Sequence, residues 1–284
     1  MYQAGLILEG GGMKGVYTAG VIDFFLDKGI SFSSVYGVSA GACSMCSYLS
    51  GQRGRARDIC IDYLNTDSYC SLKSLLTTGD LFNVEMNYHL VPEYLNPYDY
   101  DAFNRYKGKA YSVATDIVTG RPVYFRIRDM KKDLVKIRAS ASLPLVSRNV
   151  KIRGGLYLDG GLSDSIPIRR SVLDGNGKNV VVMTKETGFV RKPVGRLTLW
   201  LTKIWYWRYP RVAELTRSRY LHYNEDTAYI ERLRKSGKVF VIRPKKTCGV
   251  KRLEKNAEKL KQLYSQGYQD AADSYEKLLQ FLKS

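Results

Sequence analysis

The chain has 284 residues, 44% of them hydrophobic and 25% charged. That is enough to bury a full core in one large domain, or one domain with an appendage, and it excludes a disordered chain. The formal net charge is +18, and residues 187–284 hold 22 Lys and Arg against 9 Asp and Glu, an imbalance that calls for an acidic surface or an anionic substrate.

Met1 leads directly into Ala4-Gly-Leu-Ile-Leu-Glu9, with no basic segment, apolar stretch or cleavage site for export. No run of about eighteen uncharged apolar residues occurs further on. The expectation is a cytoplasmic protein, soluble or peripheral to the inner face of the membrane. Residues 4–9 read as a buried strand delivered into Gly10-Gly-Gly12, and Val16 to Lys28 as a helix ended by Gly29. Ser33 to Val38 is then a second strand and Ala40 to Ser50 a second helix, stopped by Gly51. Alternating strand and helix predict an α/β fold with a parallel sheet.

Residues 52–108 are polar and aromatic, with helix-like pieces at 55–65 and 80–95, the second broken by Pro92 and Pro97. They are expected to cover the sheet or the site. Ala110–Thr115 and Pro122–Arg126 alternate with period two and predict a hairpin. Strands at 150–153 and 156–158 feed Asp159-Gly-Gly161, and Val180–Met183 and Val239–Ile242 read as short buried strands. The chain between and after those two strands is helical in pattern. Val194, Leu197, Leu201, Ile204 and Trp205 share one helix face, and two helices are expected over 253–282, split near Gly267.

Gly37-Val-Ser39-Ala-Gly41 is G-x-S-x-G set where a strand turns into a helix. The flanking glycines permit the sharp turn that lifts a serine hydroxyl above the sheet, and the helix N-terminus offers N–H groups to a developing oxyanion. Gly10-Gly-Gly-Met-Lys-Gly15 literally matches G-x-G-x-x-G after a strand. The second strand, however, runs into Val38-Ser39 and offers no acidic residue for a ribose. A phosphate loop fails too, because Val16-Tyr17 follows Gly15. What remains is a loop of exposed backbone N–H groups one strand from Ser39, as an oxyanion hole requires.

The five cysteines lack ligand-like spacing, so neither a disulfide framework nor a metal site is expected, and no cofactor pattern is present. Cys43-Ser-Met-Cys46 reads as small residues buried on a helix rather than a redox pair. The only histidines, His89 and His222, lie in helix-like segments. Asp159 is the better-placed proton acceptor, at a strand end before two glycines, although a carboxylate there can also serve as a helix cap.

In order and spacing these blocks resemble the patatin-like phospholipases, which carry a G-G-G-x-[K/R]-G loop, then G-x-S-x-G, then D-G-[G/A]. Ala139-Ser-Ala-Ser-Leu-Pro144 is similar to the family's A-S-x-A-x-P, with Ser142 where alanine is usual, and Ser165 stands where many relatives have asparagine. The resemblance covers about residues 4–185. It implies a three-layer α/β/α fold with a mostly parallel central sheet and a helical C-terminal extension. It further implies a Ser–Asp dyad of Ser39 and Asp159 and an oxyanion loop of Gly10, Gly11, Gly12, Lys14 and Gly15 with Ala40. Gly37, Gly41, Gly160 and Gly161 are the motif glycines. The implied substrate is a phospholipid or lysophospholipid ester; transfer of the acyl group to an alcohol instead of water would use the same residues.

Residues 1–186 are therefore read as the catalytic core, and 187–284 as a basic, mainly helical region with one further strand, packed on the core. Trp200, Trp205 and Trp207 lie there among Lys203, Arg208 and Arg211. Such interleaving suits contact with an anionic membrane, and equally a packed helix with a solvated basic face. Nucleic-acid binding would use the same charge, but no recognised motif accompanies it.

Overall fold

The computed structural model describes residues 1–284. Strand β1 (Tyr2–Leu8) runs into the glycine loop and a 3-10 turn, followed by helix α1 (Val16–Asp27). β2 (Phe32–Val38) turns at Ser39 into α2 (Ala40–Leu49). A cover follows: α3 (Arg55–Asp62), α4 (Leu72–Thr78), a π-helical segment (Met86–Leu95) and α5 (Tyr100–Arg105). Next come β3 (Lys109–Asp116), β4 (Pro122–Ile127), α6 (Met130–Ala141), β5 (Val150–Ile152) and β6 (Gly155–Asp159). α7 (Ile168–Leu173), β7 (Asn179–Val182), α8 (Arg196–Trp205) and α9 (Pro210–Lys235) lead to β8 (Val239–Ile242). α10 (Ala257–Asp273) and α11 (Tyr275–Lys283) close the chain.

All eight strands form one sheet in the order β5-β6-β3-β2-β1-β7-β8, with β4 paired to β3. β3, β2, β1, β7 and β8 are parallel; β4, β5 and β6 are antiparallel to their partners. The continuous apolar runs of β1 and β7 follow from burial on both faces. Leu6, Leu8, Val180 and Val182 face a core shared with α1, α2, α6 and α10, while Ile7, Tyr36 and Val181 face a second core with α7 and α9. Sheet and flanking helices make three α/β/α layers.

Two expectations are corrected. The last helices part at Ser274, not near Gly267. Gly267 is the contact point of α10 with α1, where a Cβ would strike the Tyr17 carbonyl; Gly20 faces the Tyr264 carbonyl in the same way. The glycine therefore marks a close helix crossing rather than a stop. Pro92 also fails to break its helix: it sits inside the π-helical segment, which runs on to Leu95.

Candidate functional site

Ser39 occupies the sharp turn between β2 and α2 with φ 55° and ψ −124°, a conformation that non-glycine residues seldom adopt. The turn is held by close packing. Gly41 lies so near β1 that a Cβ would collide with the Leu8 carbonyl, and Gly37 is equally tight against Ala42. A Cβ on Gly10 would stand 2.9 Å from the Cβ of Ser39, so the glycine loop runs directly beside the serine. The amides of Gly10, Gly11 and Gly12, and those of Ala40 and Gly41 at the start of α2, find no acceptor in the protein. Gly15 packs on Ala40, and the Lys14 amine donates to Thr247 Oγ1 at 3.4 Å.

Asp159 reaches Ser39 through strand pairing. Ala114 and Thr115 pair on one edge of β3 with β4 and on the other with β6; residues 110–113 pair with β4 and, on that second edge, with β2. β2 and β6 thus meet end to end, Val38 opposite Val113 and Asp159 opposite Ala114. Gly160 packs on the Val113 carbonyl at this junction. The segment 139–144 ties the two ends together. The Ser39 amide donates to Ser140 Oγ at 2.9 Å, and the Asp159 amide donates to the Ser142 carbonyl at 2.7 Å. Ser165, in place of asparagine, donates its hydroxyl to the Gly161 carbonyl at 2.8 Å.

The Asp159 carboxylate is buried and only half satisfied. Oδ1 accepts the Gly161 amide at 2.7 Å, while Oδ2 has no completed hydrogen bond. Burial raises its pKa above the usual carboxylate range; the Ser39 hydroxyl, Arg219, Arg252 and the Gly161 amide oppose that rise. Neither histidine takes part: His89 is exposed on the π-helical segment, and His222 is exposed on α9, 4.0 Å from Glu225.

Two cavities meet at Ser39 and Gly12. One, of about 160 Å³, is mainly apolar, and the 52–108 cover walls it with Ile59, Tyr69, Phe82, Tyr88 and Tyr98. Cys43 lines it as well, exposed where the sequence suggested a buried residue, whereas Cys46 is buried. The other, of about 400 Å³, is polar: Lys14, Lys185, Arg191, Arg219, Lys251 and Arg252 surround Asp159, Glu9 and the glycine loop. Motif reading placed Ser140 in the A-S-x-A-x-P segment but gave it no role, and it did not single out Glu9, Lys185, Arg191, Arg219 or Arg252. Only the basic bias of the C-terminal region hinted at the arginines.

The profile described as Patatin-like phospholipase matches residues 6–171, and one described as a domain of unknown function, DUF6363, matches residues 209–283. The chain belongs to the patatin-like phospholipase family. It is 30% identical over 203 residues to the uncharacterized protein YjjU of Escherichia coli (strain K12), covering 69% of this chain and 56% of YjjU. It is 25% identical over 198 residues to the uncharacterized NTE family protein MT2641 of Mycobacterium tuberculosis (strain CDC 1551 / Oshkosh), covering 68% of this chain and 32% of that one. The chain thus spans about half and about a third of these relatives' lengths. VipD from Legionella pneumophila aligns in structure with a TM-score of 0.47 at 14% identity, covering all of this chain and 67% of VipD.

Proposed function

We propose that the protein is a lipid acyl hydrolase that cleaves carboxylic esters with Ser39 as nucleophile and Asp159 as its base. Asp159 Oδ2 accepts the Ser39 proton and the alkoxide attacks the acyl carbonyl carbon. Amides of the Gly10–Gly12 loop and of Ala40 hold the oxyanion. Asp159 then returns the proton to the departing alcohol, leaving an acyl ester on Ser39. Water, deprotonated by Asp159, attacks that ester, and Ser39 recovers its proton as the fatty acid leaves. The observation that carries this reading is the strained serine, head to head with a buried carboxylate that keeps one oxygen free, at the mouth of an apolar cavity suited to an acyl chain.

The test is hydrolysis of a monoacyl lipid ester, with released fatty acid measured. Ser39→Ala and Asp159→Asn should each abolish it, whereas His89→Ala and His222→Ala should keep it. Loss in a folded histidine variant would count against the dyad.

On this reading residues 1–186 form the catalytic core, and residues 187–284 complete the site and dock it on anionic membrane. The apolar side chains of α8 and its exit support the docking. Trp200, Trp205 and Trp207 are 57%, 70% and 71% exposed, Leu197 and Ile204 are exposed as well, and Arg196, Lys203 and Arg208 lie among them. Rings and cations so mixed suit the headgroup level of a bilayer. Flotation with anionic vesicles but not neutral ones is the expected result; no preference would reject the docking. No helix is long and apolar enough to cross a membrane.

A further inference from the structure

The glycine loop is gripped from the side away from Ser39. β1 lies between β2 and β7, so Ser39, which follows β2, and Thr184, which comes after β7, flank the loop on opposite sides. Parallel pairing of β1 with β7 runs as far as the Glu9 amide, which donates to the Val182 carbonyl at 3.0 Å. The next rung would join the Thr184 amide to the Glu9 carbonyl. That amide donates instead to the Glu9 carboxylate, at Oε2, over 2.7 Å. The other carboxylate oxygen accepts the Tyr223 hydroxyl at 3.0 Å, so Glu9 ties Thr184 to the end of β1 with both oxygens engaged. Thr184 is fully buried and lies beyond residues 6–171, which the family profile matches.

The Thr184 side chain in turn sets one peptide plane. Its hydroxyl donates to the Gly10 carbonyl at 2.8 Å and accepts from the Lys185 amine at 3.2 Å. A carbonyl oxygen has no proton to give, so the single hydroxyl proton lies on the Gly10 side. Across a trans peptide the C=O and the following N–H point in opposite directions. With the Gly10 carbonyl turned to Thr184, the Gly11 N–H faces the Ser39 side, where it finds no acceptor in the protein. Gly11 is also pressed on the same residue, for a Cβ there would collide with Thr184 Oγ1. We propose that Thr184 is a positioning residue for the oxyanion hole: its hydroxyl holds the Gly10–Gly11 peptide so that the Gly11 N–H meets the acyl oxygen of an ester on Ser39. This rests on the reading of Ser39 as nucleophile. The opposite peptide orientation would turn the Gly10 carbonyl oxygen toward the developing negative charge and repel it.

The test compares wild type with Thr184→Val, which keeps the shape and removes the hydroxyl, and with Thr184→Ser, which keeps the hydroxyl. Rates are measured on a monomeric monoacyl ester. Two inhibitors are compared: an alkyl trifluoromethyl ketone, whose adduct with Ser39 carries an oxyanion, and the methyl ketone of the same chain, which binds unreacted. Thr184→Val should lower kcat by about tenfold or more with KM within about twofold of wild type. It should weaken the trifluoromethyl ketone by a similar factor and leave the methyl ketone unchanged. Thr184→Ser should recover kcat to within about threefold of wild type. Inhibition constants report the folded fraction alone, and Thr184→Ala makes the same comparison should Thr184→Val not fold. An undiminished kcat without the hydroxyl, a lowered kcat with no selective loss of the trifluoromethyl ketone, or no recovery in Thr184→Ser would overturn the proposal. Wild type with no Ser39-dependent turnover would overturn the hydrolase reading and this proposal together, whereas Ser39-dependent turnover that persists in full in Thr184→Val would overturn this proposal alone.

Discussion

The two cavities that meet at Ser39 are built by opposite means. The apolar one is lined by α2, α6 and the 52–108 cover, and its walls gain stability simply by leaving water. The cationic one draws Arg191, Arg219, Lys251 and Arg252 from the C-terminal region and packs them unpaired around the glycine loop. That region does more than flank the core: the Arg252 carbonyl accepts the Met13 amide at 3.0 Å, fixing the loop next to Ser39. The apolar side is thus a product of core packing, whereas on the cationic side Lys251 and Arg252 remain exposed and Arg191 and Arg219 half-buried.

Each side can be broken separately. The largest effect is expected where the cavities touch: Asp159→Asn should lower kcat by about 10⁴-fold on every ester, because the Ser39 proton then has no acceptor. Steady-state rates on short- and long-chain esters measure it. On the apolar side, Ile59→Trp should fill the cavity and lower the long-chain to short-chain ratio of kcat/KM by about tenfold. A comparable loss, about tenfold in kcat, is expected for Ser140→Ala, which removes the acceptor of the Ser39 amide while leaving both cavities intact.

On the cationic side the sign of a pH effect can be worked out. Asp159 acts as a base only when ionised, and burial holds its pKa above the ordinary range, so activity should fall on acidification at a pH above the usual carboxylate midpoint. Arg219 lowers that pKa; removing it disfavours the carboxylate, and Arg219→Gln should move the acidic limb of the kcat profile to higher pH. A shift the other way would contradict the placement of Arg219. The smallest effect is expected at α8: Trp200→Ser with Trp205→Ser should lower the ratio of vesicle to monomer turnover by a few-fold, read by flotation and rate together.

The serine turn and the glycine loop were legible in the sequence because both are local: a strand, a turn that needs small residues, and a helix start. The lipid-ester reading came through family likeness carried by the same motifs. Asp159 was legible as a strand-end carboxylate, but its meeting with Ser39 depends on β2 and β6 sharing one edge of β3, and spacing along the chain does not encode that. Ser140 lies 101 residues from the amide it holds. Arg219 sits on a helix whose charges look solvated in a pattern of periods, and only the packing of α9 beside Gly161 turns one of them inward. Gly267 misled for a related reason: a helical glycine reads as a stop until its partner across the crossing is known.

The most direct measurement is covalent labelling with a fluorophosphonate ester followed by mass-spectrometric mapping of the modified residue. The account predicts a single adduct on Ser39, formed by wild type and strongly slowed in Asp159→Asn. An adduct on any other residue, or labelling of Ser39 at an undiminished rate without the Asp159 carboxylate, would contradict it.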